Sequence, residues 1–352
     1  MHVPTGNANR RVSITEVARA VKPRISGYLL ALDISSRGLT LRIRKRGRGL
    51  RRMFLSLRPD YLDVFEITLE GSHPRSLKRR IFLKIHQDNR AASEEFSKLQ
   101  LVWQHFRTSS EFRISTPLDL IGELNGVVTA GVEGFNLGDL IRWSRIRRRT
   151  RERVRSLISH VEQAGYWLRF LHRIEIHESC VSAIQQDLAD DLERLMREAA
   201  RFRFPEHLAA GVASKFDRIK ELQRSSKSVL LHYDLTPEHV FLGESTVSVV
   251  DLEQLRMGPE AWDLARFCSY FDMMLAPLNV GLIFPLLKDR FLQAASLAGD
   301  SKLDELINGY STVIMLQKWV DAMYRLSEGP STLYLVLPIL AKRALANIEL
   351  LD

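Results

Sequence analysis

The sequence predicts an α+β protein of two unequal lobes, and three observations carry that prediction. Short β-like runs, interrupted by one amphipathic helix, fill the stretch from Met53 to Ala130. Past Gly134 the pattern turns largely helical. Between residues 231 and 253 a polar loop and a short strand each present an aspartate, Asp234 and Asp251. Strands with one helix, then a helical body, segregate into two parts with a cleft between them.

The chain has 352 residues, ample for a core in one large domain or two lobes. Hydrophobic residues at 45% and charged residues at 26% exclude a disordered chain. Two cysteines, Cys180 and Cys268, are too few for a disulfide framework, so a reducing compartment is the default. Met1 to Arg11 contains no apolar run of signal-peptide type. The most apolar window, Met273 to Leu287, holds Asn279 and two prolines; it is too short to span a bilayer and reads as a buried helical hairpin. A cytoplasmic protein is expected.

The net charge of +9 is concentrated. One cluster runs from Arg42 through Arg44, Lys45, Arg46 and Arg48 to Arg51 and Arg52; a second runs from Arg142 through Arg145, Arg147, Arg148, Arg149, Arg151 and Arg153 to Arg155. Such runs are solvated helix faces or flexible arms, or they attract a polyanion. No nucleic-acid module is recognisable, so an anionic membrane surface, met peripherally at its inner face, is the favoured polyanion.

Three segments are expected: a basic extension over 1–50, a β-rich lobe over 51–131 and a helical lobe over 132–352. In the extension, Ser13–Ala20 reads as a short helix and Leu39–Ile43 as a strand. Met53–Leu57, Val64–Leu69 and Arg80–Ile85 follow as β-like runs, the last two separated by the turn signal Gly71-Ser72-His73-Pro74. Ala91 to Phe106 is an amphipathic helix with Phe96, Leu99, Val102, Trp103 and Phe106 on one side. Leu118–Ile121 and Gly126–Ala130 are the last β-like runs of the lobe.

Lys84 sits in the apolar run Ile81-Phe82-Leu83-Lys84-Ile85. It is either an edge-strand lysine reaching water or a phosphate-binding lysine paired with a helix glutamate. Glu95 is the better partner than Glu94, because Leu99 and Phe106 continue its face. The segment Leu231-His232-Tyr233-Asp234-Leu235-Thr236-Pro237-Glu238-His239-Val240-Phe241-Leu242, then Val249-Val250-Asp251-Leu252-Glu253, is a phosphoryl-transfer layout. One carboxylate orients an attacking hydroxyl and the other holds a metal ion bridging nucleotide phosphates.

The order Lys84, Glu95, Asp234, Asp251 resembles the kinase-like small-molecule phosphotransferases, a superfamily that includes the lipopolysaccharide-core sugar kinases and the aminoglycoside phosphotransferases. The resemblance covers about Met53 to Phe271 and implies a protein-kinase-like two-lobed fold with ATP and Mg²⁺. It implies Asp234 as the residue that positions the acceptor hydroxyl, with His232 bracing the loop. It implies Lys84 and Glu95 at the nucleotide phosphates, and Ala130 and Val132 as hinge residues whose free backbone groups read adenine. Asp251 is the implied metal ligand, supported by Glu253 on the same strand face. His239 stands where the wider family has a metal-ligating Asn; imidazole suits Mg²⁺ less well. The lipopolysaccharide-core kinases are similar to this chain in carrying His there, which favours them. His172 ends a Leu-His helix, and Asp263 is similar to the family's helix Asp that accepts hydrogen bonds from the catalytic loop. Only a short interval separates Asp251 from Asp263, too little for a peptide-docking activation segment, and Tyr233 replaces the arginine that would read a phosphate there. No glycine-rich phosphate loop is recognisable.

The function these features imply is transfer of the ATP γ-phosphate to a sugar hydroxyl of an envelope glycolipid. The alternatives are an aminoglycoside-type or other small-molecule kinase, for which Gln185 to Glu193 could supply acidic groups, and a kinase-like scaffold without turnover.

Overall fold

The computed structural model describes residues 12–32, 39–46, 61–71, 79–146, 151–176, 188–204, 206–275, 283–296, 301–327 and 340. The expected strand at Met53–Leu57, the parts of the two basic clusters at Arg48, Arg51 and Arg52 and at Arg147, Arg148 and Arg149, and Cys180 fall outside the described residues. The chain forms two compact units. The first comprises Met1–Glu133 with Ser248–Glu253, and the second Gly134–Val247 with Gln254–Asp352.

The first unit opens with α1 (Ile14–Val21), whose Ser13 and Glu16 close a capping box, and continues with α2 (Ile25–Ala31). The strands β1 (Leu39–Arg46), β2 (Tyr61–Gly71) and β3 (Arg79–His86) follow, then helix α3 (Asn89–Phe106). The strands β4 (Phe112–Ile114), β5 (Pro117–Ile121) and β6 (Gly126–Ala130) complete the run. The main sheet has the order β1-β2-β3-β6-β5, so β3 is central. Lys84 pairs Val64 on one side and Val127 on the other, which rules out the edge-strand reading. Along β3 burial alternates, with Ile81, Leu83 and Ile85 in the core, while Lys84 and His86 share the opposite face.

Residues expected to form an extension instead join this core. Val12, Val17, Val21, Tyr28 and Leu29 are buried in the same cluster as Phe65, Ile67 and Ile81. Tyr28 Oη also donates to Asp119 at 2.8 Å, and Arg24 pairs with Asp119 and Glu123. The described part of the first basic cluster is matched by acids on β2. Arg42 pairs with Glu70, Lys45 with Asp63 and Arg46 with Glu66. Helix α3 is capped by Asp88, which accepts from the Ala91 amide at 2.8 Å. Its buried stripe is Ala92, Glu95, Leu99, Val102 and Phe106, and the expected members Phe96 and Trp103 are only half-buried.

The second unit begins with β7 (Phe135–Asn136), α4 (Leu137–Ile146), α5 (Arg151–His172), α6 (Leu188–Arg201) and α7 (Glu206–Ser225). The strands β8 (Ser228–Leu231), β9 (Val240–Leu242), β10 (Val247–Val249) and β11 (Arg256–Pro259) carry the loops. The helices α8 (Ala261–Leu275), α9 (Ile283–Ala295) and α10 (Ser301–Ser327) follow. Gly165 of α5 sits where a Cβ would come within 2.8 Å of the Phe291 carbonyl and the Ala294 side chain of α9, so only glycine permits this approach. Phe267 of α8 stacks on Phe291 at 4.0 Å, and Trp262 meets Tyr310 of α10 edge-on. Of the apolar window Met273 to Leu287, residues 276–282 lie outside the described residues; the described ends close α8 and open α9, where Leu287 is buried and Leu286 is exposed. No helix among the described residues is long and apolar enough to cross a membrane.

Candidate active site

Two clusters of ionisable side chains stand out, one in each unit. In the first, the Lys84 ammonium lies 3.1 Å from Glu95 Oε1, 2.8 Å from Asp251 Oδ1 and 2.8 Å from Glu253 Oε2. Glu95 interrupts the apolar stripe of α3, and a charge buried there needs a partner. Lys84 supplies it, as expected, and His86 adds a second, its Nε2 lying 2.7 Å from Glu95 Oε2. Burial opposes the Lys84 charge, but Asp251, Glu253 and Glu95 outweigh it and hold the ammonium well above its usual range. Burial also works against ionised Glu95, yet Lys84 and His86 keep it ionised below its ordinary value.

Glu253 resolves the imbalance of three carboxylates around one ammonium. Burial raises its carboxyl most; Lys84 pulls it down, Asp251 and Glu95 push it up, and the net result is about 8. Hard oxygen donors with an excess of negative charge fit a divalent cation of the Mg²⁺ type, which would restore the balance. Among the described residues no three His, Cys, Asp or Glu side chains form a ready-made metal site. Asp251 and Glu253 meet around Lys84 in the first unit, whereas His239 belongs to the second. The expected strand face shared by Asp251 and Glu253 is not there. Strand β10 ends at Val249, Asp251 has a left-handed φ of 70°, and Leu252–Gln254 is a 3₁₀ turn. That turn aims both carboxylates at Lys84.

The expected hinge also differs in detail. Strand β6 runs through Ala130, whose amide donates to the Thr116 carbonyl at 2.9 Å and so is spent inside the sheet. The Gly131 amide donates to the Arg80 carbonyl at 2.7 Å, and a Cβ at Gly131 would crowd Arg80 and Phe82. Val132 follows directly after these two bonds.

In the second unit the loop after β8 is fixed by helix α8. Asp263, fully buried, accepts from the His232 amide at 2.8 Å through Oδ2 and from the Tyr233 amide at 2.8 Å through Oδ1. His172 Nε2 lies 3.1 Å from the same Oδ2, a structural place for the His that ends α5. Trp262 Nε1 donates to the Tyr233 carbonyl at 2.9 Å. Tyr233 itself has φ 70°, an outlier for a bulky residue. Its ring stacks on Trp262 at 4.8 Å, and the Arg256 guanidinium covers it at 3.8 Å.

Asp234 follows directly. Arg266 Nε donates to its Oδ1 at 3.0 Å, and the neighbouring Arg266 nitrogen donates to the same oxygen. Burial raises the Asp234 carboxyl, but Arg266, His239 and Lys318 outweigh it and hold it below the usual carboxylate range. Such a carboxylate accepts a hydrogen bond well and serves as a weak base. His239 donates from Nδ1 to the Asp234 carbonyl at 2.8 Å, so a neutral ring carries its lone pair on Nε2. His232 is buried, edge-on to Trp167 and stacked with His239 at 5.7 Å, in keeping with a bracing residue. Asn136 caps α4 by accepting from the Asp139 amide, and its Nδ2 donates to the Glu238 carbonyl.

Arg266, Lys318, Arg256 and His86 were not singled out from sequence. The first two lie in largely apolar helical runs, Leu264-Ala265-Arg266-Phe267 and Met315-Leu316-Gln317-Lys318-Trp319, and a charge buried in such a run demands a partner. His86 is two residues from Lys84 on one strand face.

A family model described as the phosphotransferase enzyme family matches residues 76–304. No curated protein matches the sequence significantly. Among solved structures, the GDP complex of wild-type aminoglycoside 2'-phosphotransferase-IIIa is 13% identical, covers 93% of this chain and 99% of its own, and superposes with a TM-score of 0.58. An ethanolamine kinase of Plasmodium vivax is 12% identical, with coverages of 97% and 90% and a TM-score of 0.56. The choline kinase LicA of Streptococcus pneumoniae is 13% identical, with coverages of 94% and 99% and a TM-score of 0.51. These likenesses show a shared α+β kinase-like fold. The family match spans well over half of the sequence, so the chain belongs to the phosphotransferase enzyme family and is a kinase-like phosphotransferase.

Proposed function

We propose that this protein transfers the γ-phosphate of ATP to a hydroxyl group of a small molecule. The observation that carries the reading is the buried Lys84 ammonium shared by Glu95, Asp251 and Glu253. Lys84 is held charged and positioned by Glu95, ready to exchange its carboxylate contacts for phosphate oxygens. Mg²⁺ held by Asp251 and Glu253 would neutralise charge on those oxygens. The Val132 amide is the group assigned to the adenine edge.

Asp234 orients the acceptor. Arg266 occupies Oδ1, and Oδ2 makes no hydrogen bond among the described residues, so it can accept from a substrate hydroxyl. The hydroxyl oxygen forms a bond to the γ-phosphorus as the bond from that phosphorus to the β–γ bridging oxygen breaks. ADP departs with the bridging oxygen, and the hydroxyl proton passes to Asp234 and then to solvent. A low-pKa carboxylate suits a loose transition state, in which little early proton removal is needed.

The named relatives are aminoglycoside, choline and ethanolamine enzymes, which favours a soluble small-molecule acceptor over the glycolipid sugar expected from His239 and the arginine clusters. The test is a thermal shift with Mg-ATP, followed by transfer of labelled γ-phosphate to sugars, amino alcohols, aminoglycosides and a lipopolysaccharide-core glycolipid. Incorporation into at least one hydroxyl compound is expected. Tight Mg-ATP binding with no incorporation into any acceptor would favour a scaffold and end this reading.

A further inference from the structure

Resting on that phosphotransferase reading, we propose that the acceptor is an acidic hydroxyl compound whose oxyanion is bound by Arg256 beside the hydroxyl held by Asp234. The charges around the loop point this way. A cationic acceptor would need a spare carboxylate, and four acids of the second unit near the loop are engaged among the described residues. Asp234 is paired with Arg266, and Asp263 is fully buried and occupied by two loop amides and His172. Glu238 is paired with Arg142, and Glu260 lies 3.9 Å from His172. Of the acidic segment expected to line a cationic pocket, residues 185–187 lie outside the described residues, and Glu193 pairs with Arg197 of its own helix.

Of the cations near the loop, Arg266 pairs with Asp234, Arg142 with Glu238 and Lys318 with Asp321 at 4.0 Å, which leaves Arg256 without a carboxylate among the described residues. Arg266 and Lys318 are almost wholly buried, and each approaches the Tyr270 ring to 5.4 Å, so both impose positive potential on the loop through a medium that screens poorly. Arg256 is the accessible member. It is half-buried, its Nε is buried without a hydrogen-bond partner, and no carboxylate among the described residues forms an ion pair with it. Its guanidinium carbon lies 3.8 Å from the centre of the ring of Tyr233, the residue immediately before Asp234, and Tyr233 is itself locked by Trp262. A planar donor fork fixed next to the acceptor-orienting carboxylate matches a carboxylate or phosphate group bidentately.

The experiment compares glucose, glucosamine, glucuronate and glucose 6-phosphate. Binding to the full chain loaded with Mg-ADP is read by ligand-observed NMR, and transfer is read with labelled ATP. The two acidic compounds separate a carboxylate from a phosphate as the preferred oxyanion. At least one is expected to bind and react about 10- to 100-fold better than glucose, with glucosamine weakest. Arg256→Gln should bring the compounds within about threefold of one another, whereas Arg256→Lys should retain part of the preference. Unchanged melting temperatures establish that both variants fold. Equal or tighter binding of glucosamine, binding of all four without discrimination, or binding of none overturns the proposal. Selective binding of an acid with no phosphate transferred to anything would instead overturn the kinase reading while leaving the anion site in place.

Discussion

Raising the pH from 7 to 9 should tighten binding of the magnesium–nucleotide complex about tenfold. Glu253 titrates at about 8, because burial and the neighbouring Asp251 and Glu95 outweigh the pull of Lys84. It is therefore about one-tenth ionised at pH 7 and about nine-tenths ionised at pH 9. A divalent cation at Asp251 and Glu253 needs the ionised form and displaces the proton. Calorimetric titration of Mg²⁺ into the ADP-loaded protein, in buffers of different protonation enthalpy, should show release of about 0.9 proton per cation at pH 7 and about 0.1 at pH 9. Glu253→Gln should abolish the release and flatten the pH dependence. The same displacement, from an ordinary 4.5 to about 8, bears on stability in the absence of metal. The folded pKa lies above the unfolded one, so this contribution is fully present below about pH 4.5 and is lost as pH rises through 8, by roughly 5 kcal/mol. Proton release below about 0.2 at pH 7, or an unchanged slope in Glu253→Gln, would refute the charge imbalance on which the metal site rests.

Asp234→Asn should lower kcat at least about 1000-fold while leaving the Kd for Mg-ADP within about threefold, measured by single-turnover transfer and titration. Retention of a tenth of the parent rate would remove Asp234 from the reaction. Asp263→Ala strips two loop amides and His172 of their buried acceptor and should cost about 3–5 kcal/mol, read as a drop of roughly 6–15 °C in Tm, with Asp263→Asn intermediate. Gly134 has φ 112° and a Cβ there would overlap the Leu242 carbonyl, so Gly134→Ala should destabilise by about 2–4 kcal/mol in chemical denaturation.

The elements most legible in the sequence are those with strong periodicity. Helix α3 starts two residues before the expected Ala91, and Glu95 pairs with Lys84 as its place in the stripe predicts, because a carboxylate inside a 3.6-residue apolar stripe admits few explanations. Strands β3, β5 and β6 were readable from their apolar runs. What the sequence concealed depends on contacts distant along the chain. That Lys84 lies on a central strand follows from β6 pairing with β3, which no local pattern announces. The capped helix at Ser13 was visible, yet its docking through Val17, Val21 and Tyr28 was not, because a short apolar stripe does not name the surface it covers. The bond from the Ala130 amide to the Thr116 carbonyl is likewise set by a partner strand and not by the local run. Arg266 escaped notice because its partner, Asp234, lies 32 residues away in the chain.

Arg266 and Asp263 are three residues apart on α8, and this spacing explains how a strained loop can be held still. Tyr233 at φ 70° costs on the order of 1–3 kcal/mol, and a loop free to relax would not keep it. Asp263 grips the backbone just before the aspartate, and Arg266, one turn further along the same helix face, grips the carboxylate just after it. Both anchors ride on one buried helix, stacked through Phe267 on α9 and through Trp262 on α10. The direction of the Asp234 side chain is thus set by the rigidity of α8, independent of the loop's own sequence. Thr236 and Leu235, which follow Asp234, are buried as well, so the loop has no exposed stretch in which to absorb a shift of the helix. A cavity opened beneath α8, for example by Phe291→Ala, would therefore reach the acceptor-orienting carboxylate although no atom of Phe291 touches the loop's charges.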